Sequence, residues 1–462
     1  MFSPAVPTTD PASLERRESG DTPSGPILKQ PDAEFGEHLA RAKLERRLLW
    51  KIDLRMSILV LIYMYIDRNN AAAARQLGLE KDLHLKGQQF PTRRLLSILY
   101  VGYIIFQIPS NMFLNHIGKP SVYLPASMLI WGCISVLTGV TTNFTGAVVT
   151  RFFLGVVEAA FFPGALFLLS KWYKRDELGL RTALLYCGSL ISNAFGGLIA
   201  AGVLNGMDDK LGHAAWRWLF YIEGALTMFF AVVAIFILPD FPSTSKFLSP
   251  LERRLAEVRM AEDVGETDSE SGRHLTGLIL AVTDWKVWWM ALALTAMAIG
   301  LSFNQYFPAL AVTLGYSRTI TLLLCAPPRG FATVIVFIVA RHADKTGERF
   351  FHIITPLSIG IVGFIIALNV EKTGPRYFTL FLIARSYSGF IISISWISNS
   401  FPRPPAIPTV VLALINSFSQ FGNIAGFSSF DAKWEPSYRK TYGTISNWDQ
   451  HTSRAVKGRL CT

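Results

Sequence analysis

Apolar stretches of about twenty residues, the length that crosses a hydrocarbon core as helix, recur at 54–70, 97–116, 122–140, 145–169, 180–203 and 216–238. Five more follow at 287–310, 320–340, 351–369, 376–400 and 409–427. Only 17% of the 462 residues are charged and 51% are hydrophobic, whereas soluble domains carry about 25% charged residues. A single soluble core could not cover that much apolar surface. The pattern predicts an all-α polytopic membrane protein with about 11 spans.

The charged stretch at 240–286 divides six spans from five and cannot enter lipid. The expected organisation is a cytosolic tail over 1–52, a six-helix bundle over 53–239, a cytosolic linker over 240–286, a five-span bundle over 287–428 and an atypical tail over 429–462. Arginines precede the first span without an apolar leader region, so the N-terminus is expected in the cytosol. Lys171, Lys174, Arg175 and Arg181, then Arg253, Arg254 and Arg259, then Arg341, Lys345 and Arg349 fall in loops on that same side. Loop 1–2 breaks the rule with Arg75, Lys81, Lys86, Arg93 and Arg94. Eleven spans would also leave the basic stretch from Lys433 onward outside. A twelfth span is missing from the pattern, and poor accumulation in membranes is expected of the chain as written.

Several function classes lack their residues. The four cysteines show no metal-ligand spacing, and the net charge of +11 is scattered between apolar runs rather than gathered on one nucleic-acid-binding face. No phosphate loop, HExxH or GxSxG occurs. No enzyme activity, cofactor, metal or nucleic-acid partner is expected. Asn143 opens a glycosylation sequon too close to two spans for ready use.

Charge inside the apolar stretches is the informative exception. Arg151 and Glu158 stand seven residues apart, nearly two turns, and therefore share one helix face. A charge at the bilayer centre costs a few kcal/mol, so such residues commonly line a polar cavity. A proton-coupling group of Glu158, Arg151 and Asp67 is expected, with a packing ion pair or a snorkelling Arg as the alternative. In the turn Arg341-His-Ala-Asp344-Lys-Thr-Gly347-Glu-Arg349, Asp344, Gly347 and Arg349 form a candidate conformational latch. The matching turn of the first half, Asn115-His-Ile-Gly118-Lys119-Pro120, lacks the acid. Arg385, solitary in its span, joins Asn304, Gln305, Asn193, Asn416 and Gln420 as candidate substrate-binding residues, and interhelical hydrogen bonding is the alternative for the uncharged ones. Gln107, Asn111 and Asn423 are further polar residues in spans.

Longer strings carry a resemblance. Tyr65-Ile-Asp67-Arg68-Asn69-Asn70, Ser97 to Tyr103, Gln107-Ile-Pro109-Ser110-Asn111, Arg151 to Gly164, Ser170-Lys-Trp172-Tyr173, Trp216-Arg217-Trp218, Gly315-Tyr316-Ser317 and Asn399 to Pro404 together resemble the fungal anion:cation symporter branch of the major facilitator superfamily, which includes allantoate and nicotinic acid permeases. The resemblance implies the major facilitator fold, two six-helix bundles working by alternating access, here with the last helix missing. It also implies proton-coupled uptake of a small organic anion such as a carboxylate, vitamin or ureido acid. The implied partners are that anion, protons and the lipid bilayer, for a monomer in the plasma membrane. Phe90-Pro91-Thr92-Arg93-Arg94 and a short first span depart from the pattern. An exporter of a drug or secondary metabolite is the alternative, but Gly188 to Gly197 lacks the proline of the exporter motif GxxxGPxxGG. A non-functional, truncated family member is the other alternative.

Overall fold

The computed structural model describes residues 35, 38–65, 70–83, 89–117, 119–264, 279, 281–303, 311, 314–370, 372–400 and 406–428. Two units are distinguished, Met1–Leu48 and Leu49–Thr462. In the first, Arg41 Nε donates to Glu45 Oε1 one helical turn on at 3.3 Å, and its guanidinium lies 6.0 Å from the Phe35 ring.

Among the described residues the structure is helical, without a β-strand. Helix α1 (His38–Tyr65) is followed by short helices α2 (Asn70–Gln76) and α3 (Leu79–Asp82). Long helices α4 (Gln89–Ile117), α5 (Pro120–Val140), α6 (Phe144–Trp172), α7 (Arg175–Met207) and α8 (Ala215–Ile237) complete the first series. The linker forms α9 (Pro250–Val264). Then come α10 (Trp285–Leu301), α11 (Arg318–Leu324), α12 (Ala326–Thr346), α13 (Phe350–Asn369), α14 (Thr373–Arg385), α15 (Tyr387–Ser400) and α16 (Ala406–Ser428). Seven helical segments among the described residues are long and apolar enough to cross a membrane, and Leu95–Ser110 and Trp285–Leu301 are shorter apolar helices.

Local chemistry explains the boundaries. The Asn143 side chain accepts the Gly146 N–H at 2.7 Å and caps α6, and Asp284 does the same for α10 through Lys286 N–H at 2.9 Å. Pro120 opens α5 at a position where its missing N–H costs nothing. Gly347 ends α12 in the left-handed region at φ 68°, which a glycine adopts without strain. Two expected single spans are interrupted. The span at 320–340 resolves into α11 and α12 beside Pro327 and Pro328, which supply no N–H to the ladder. The span at 376–400 resolves into α14 and α15 at Ser386, whose N–H reaches back to Ile383 O at 3.1 Å in a tighter turn.

Helices α4 and α6 pack along much of their length, as do α5 with α8, α10 with α16, and α7 with α12. The α4–α6 pair touches backbone to backbone, because Gly155 faces the Leu99 carbonyl with no room for a Cβ. Further along, Gly164 faces Leu114. Both contacts advance in the same chain sense, so the two helices run parallel.

The basic loop 1–2 is held by its own acids. Arg75 pairs with Glu80 at 2.6 Å. Asp82 accepts from Trp216 Nε1 at 2.9 Å and from Arg217 at 2.9 Å, while Arg217 also donates to Gly139 O at 2.9 Å. Of the charges that break the loop pattern, Arg75 is thereby balanced within the loop, while the loop's Asp82 pairs with Arg217 of α8.

The opposite end carries a denser network. Arg181 donates to both oxygens of Asp53 at 3.1 Å, and Tyr173 OH donates to Asp53 Oδ1 at 2.7 Å. Burial, reinforced by Asp53, pushes the Tyr173 phenol up, so it stays a neutral donor. Linker helix α9 docks through Arg259 to Glu177 at 2.6 Å, Glu252 to Lys51 at 2.6 Å and Glu262 to Lys174 at 3.6 Å. Ser249 and Glu252 cap α9 reciprocally, with Ser249 N–H to Glu252 at 3.1 Å and Glu252 N–H to the Ser249 hydroxyl at 3.3 Å.

Glu252 therefore has two structural duties. Burial alone would raise its carboxyl, but Lys51 and Ser249 outweigh burial and hold it below the ordinary carboxylate value. Glu252→Gln is expected to weaken α9 docking by about 1 kcal/mol, read as faster amide exchange over α9. Acid has the same effect. A lowered folded value means the stabilisation is complete above the ordinary carboxylate range and disappears as pH falls through the lowered value. Unchanged exchange in the variant and in acid would show that α9 is held by its other pairs.

Candidate functional site

Helix α6 carries the central charges. Arg151 is 3% exposed and Glu158 2% exposed, on one face of a helix whose other residues are mostly apolar. The Arg151 guanidinium lies 5.2 Å from the Phe220 ring of α8, which places the cation against an aromatic face. Glu158 is three residues beyond Gly155, and Tyr103 is four residues beyond Leu99 on parallel α4. Both side chains consequently stand about one turn past the Gly155–Leu99 contact, at a common level.

Tyr103 links this level to α16. Asn416 Nδ2 donates to Tyr103 OH at 3.0 Å, and one turn away Ser417 Oγ donates to Gln107 Oε1 at 2.6 Å. Gln420 donates to Asn416 O at 3.3 Å, and Asn423 donates to Gln420 at 3.0 Å. Tyr103, Gln107, Asn416, Ser417 and Gln420 are all buried. Two of the expected binding residues, Asn416 and Gln420, thus belong to one buried polar ladder, joined to the neighbourhood of Glu158 through α4. A ladder of this kind holds two helices in register and can exchange its hydrogen bonds for those of a polar ligand.

The remaining expected residues are placed differently. Asn193 turns its amide to Ser189 O on its own helix at 2.7 Å, and its backbone carbonyl accepts from Arg329 Nη1 of α12. Arg385 ends α14 at the break before Ser386, half-buried rather than deep in a continuous helix; its Nε is buried with no hydrogen-bond partner among the described residues. Asp67, Asn304 and Gln305 lie outside the described residues.

Three residues enter the site that the sequence analysis did not single out. Arg329 is 5% exposed, following Pro327 and Pro328 in an apolar span. Glu223 is likewise 5% exposed, within the apolar run at 216–238. A charge inside such a run is the signal that could have found both. Tyr103 had no such signal, since a tyrosine in a span reads as an ordinary aromatic.

At the α12–α13 turn, Asp344 and Arg349 form an ion pair at 2.7 Å around Gly347. A Cβ built on Gly179 of α7 would stand 2.6 Å from Asp344 Oδ1, so the acid sits against the first turns of α7. Glu348 caps α13 through Phe351 N–H at 3.0 Å. The expected latch residues are brought together, and they abut α7 two residues from Glu177, where α9 docks. A cavity of about 470 Å³ opens between α1, the end of α6 and α7, with Asp53, Tyr173 and Arg181 among its lining residues. Among the described residues no cluster of His, Cys, Asp or Glu is arranged to hold a metal.

Comparison with known proteins agrees with this architecture. The profile of the Major Facilitator Superfamily matches residues 57–427. The chain is 30% identical over 424 residues to the MFS-type transporter cnsO of Penicillium expansum, covering 88% of this chain and 81% of that protein. It is 32% identical over 397 residues to a protein of Agrobacterium vitis provisionally named a tartrate transporter, covering 83% and 87%. Among solved structures, the proton:xylose symporter XylE superposes with a TM-score of 0.68 at 15% identity, over 90% of this chain and 96% of that one. At that identity the likeness is one of fold. These relatives are transporters, not enzymes.

Proposed function

Because the chain belongs to the Major Facilitator Superfamily and is an integral membrane transporter with that fold, we propose that it takes up a small organic anion together with protons by alternating access, as a member of the anion:cation symporter branch. The observation that carries this reading is the buried Arg151 and Glu158 on one face of α6. A carboxylate in that setting can alternate between an ionised form balanced by Arg151 and a protonated form, and proton symport requires such a group. The provisional assignment of one relative to tartrate, a dicarboxylate, supports an anionic substrate.

In this reading, residues 53–239 and 287–428 form the two moving bundles, joined by the linker at 240–286. Asn416, Gln420 and Tyr103 lie where the bundles meet around the substrate, and Arg385 offers a cation from the second bundle. Asn193, Asn304 and Gln305 complete the candidate set, and Asp67 joins Glu158 and Arg151 in proton coupling. The network of Asp53, Tyr173 and Arg181 and the latch of Asp344, Gly347 and Arg349 stand on the cytosolic side, with the N-terminus, and a monomer works in the plasma membrane.

Uptake of labelled mono- and dicarboxylates by cells expressing the chain, at two external pH values and with a protonophore, tests the proposal. Accumulation stronger at the lower pH and collapsed by the protonophore is expected. Accumulation that ignores both, or energy-dependent loss of a preloaded substrate, would overturn it in favour of facilitated diffusion or export.

A further inference from the structure

Beside the Asp344–Arg349 pair, a chain of side chains ties the end of α12 to the start of α13. His342 Nδ1 and His352 Nε2 lie 2.6 Å apart, with ring centroids 4.9 Å apart and ring planes tilted by 38°. On the other side of its ring, His352 Nδ1 lies 2.9 Å from Glu348 Oε2. These partners fix the hydrogens. Burial alone would raise the Glu348 carboxyl, but the Phe351 N–H and His352 outweigh burial and hold it below the ordinary carboxylate value, so it only accepts. His352 Nδ1 therefore carries a hydrogen, and in the neutral ring Nε2 is bare. His342 Nδ1 must then be the donor across the gap, which leaves Nε2 of this exposed residue as an open acceptor with no partner among the described residues.

Protonation acts on the two rings differently. A first added proton enters at His342 Nε2, and the Nδ1–H donor stays in place with its bond strengthened by the charge. A second proton can go only to His352 Nε2, the acceptor itself; two N–H groups then face each other on adjacent cations, and the bond is lost. Other charges at this end are committed or exposed. On the turn, Asp344 and Arg349 pair with each other, while Arg341 and Lys345 are exposed. Helix α7 brings Arg175 and Asp176 in its first turn, then Glu177 and Arg181, which are held by Arg259 and Asp53. Helix α15 carries no charged residue, α14 carries Arg376 at the far end of α13 and Arg385 at the break before Ser386, and Arg318 of α11 lies at the far end of α12.

We propose that His342 and His352 form a proton-operated clasp between α12 and α13, shut while the pair holds one extra proton or none and opened by the second. Opening removes a tie across the turn beside the Asp344–Arg349 pair and loosens the seat of Asp344 against Gly179 of α7. Histidine ordinarily titrates between about pH 5 and 8, so changes in cell pH reach the clasp. In the orientation proposed above the protons that operate it are cytosolic, an orientation on which the clasp itself does not depend.

Solid-state NMR of the purified full chain in lipid vesicles, with isotope-labelled histidine rings, tests the clasp without a substrate. Near neutral pH the parent is expected to show one proton-bearing and one bare ring nitrogen correlated across the hydrogen bond, and His342→Asn and His352→Gln each assign the pair by removing that correlation. On acidification the correlation should survive protonation of the first ring and vanish with the second. No correlated pair in the parent, loss at the first protonation, or survival with both rings cationic would each overturn the proposal. Amide exchange over 343–353 reads the mechanical consequence. His342→Asn keeps an amide N–H near the place of Nδ1 and takes up no proton there. Below the second step the parent should therefore exchange about fivefold faster than this variant, the effect of one lost hydrogen bond, and near neutral pH at the same rate. Equal rates in acid would show that nothing opens and would also overturn the clasp. Should His342→Asn not fold, His352→Gln assigns the pair and the titration of the parent decides. Transport that ignored the proton gradient would instead sink the symport reading and leave the histidine result standing.

Discussion

Glu158→Gln is expected to abolish accumulation of substrate against its gradient while leaving exchange of substrate across the membrane at a measurable rate. The amide fills nearly the same space as the carboxyl and is neutral, so it imitates a permanently protonated site that cannot release its proton. Cotransport of one proton with one monovalent anion is electroneutral, and each pH unit across the membrane then sustains about a tenfold concentration ratio, or about 1.4 kcal/mol. In the variant that ratio should fall to one at every pH gradient. Counterflow of labelled against unlabelled substrate should persist, because rocking of the bundles needs no net proton movement when the site stays neutral. Measuring both in vesicles with an imposed pH gradient separates coupling from folding. A variant that concentrates substrate as well as the parent would remove Glu158 from the coupling role, whatever happened to its affinity.

Gly155→Val should have the largest effect on folding. A Cβ at this position meets the carbonyl of Leu99, a backbone atom that no rotamer change can move aside. Helices α4 and α6 would have to separate, and with them Gly102, whose own missing side chain leaves room for Phe152. Overpacking a well-formed contact costs on the order of 1–3 kcal/mol, and more where backbone must move. The displaced helices are those that carry Tyr103 and Glu158, so protein that survives should also lose transport. Gly155→Ala is expected to lie between the parent and the valine variant. Thermal stability in detergent ranks the three, and a valine variant as stable as the parent would show that the helices do not approach through Gly155.

The turn at Asp344 and its seat against α7 show why some of the site was legible in the chain and some was not. The turn from Arg341 to Arg349 is local: an acid, a glycine and an arginine within nine residues can meet only around one bend, and Asp344 and Arg349 do meet there. The seal against α7 is not local. Nothing near Asp344 in sequence names Gly179 as the surface it would rest on. Likewise the spacing of Arg151 and Glu158 sets their common face, because an α-helix fixes what seven residues mean. Tyr103 joining Asn416 depends on two helices more than 300 residues apart along the chain, with |i−j| of 313.

From the sequence alone followed the helical membrane architecture, the shared face of Arg151 and Glu158, and the bend at Gly347. Each depends on apolar length, charge or helical period, which neighbouring residues determine among themselves. Tertiary structure alone decided that loop 1–2 would reach Arg217 of α8 through Asp82, that α9 would dock on Glu177 and Lys51, and that Arg329 and Glu223 would be buried beside helices to which no spacing connects them. The reason is physical: periodicity says which side of a helix avoids lipid or water, but the partner on that side is chosen by how close two backbones can approach, and at α4 and α6 that distance is set by glycines whose effect appears only once the helices are together.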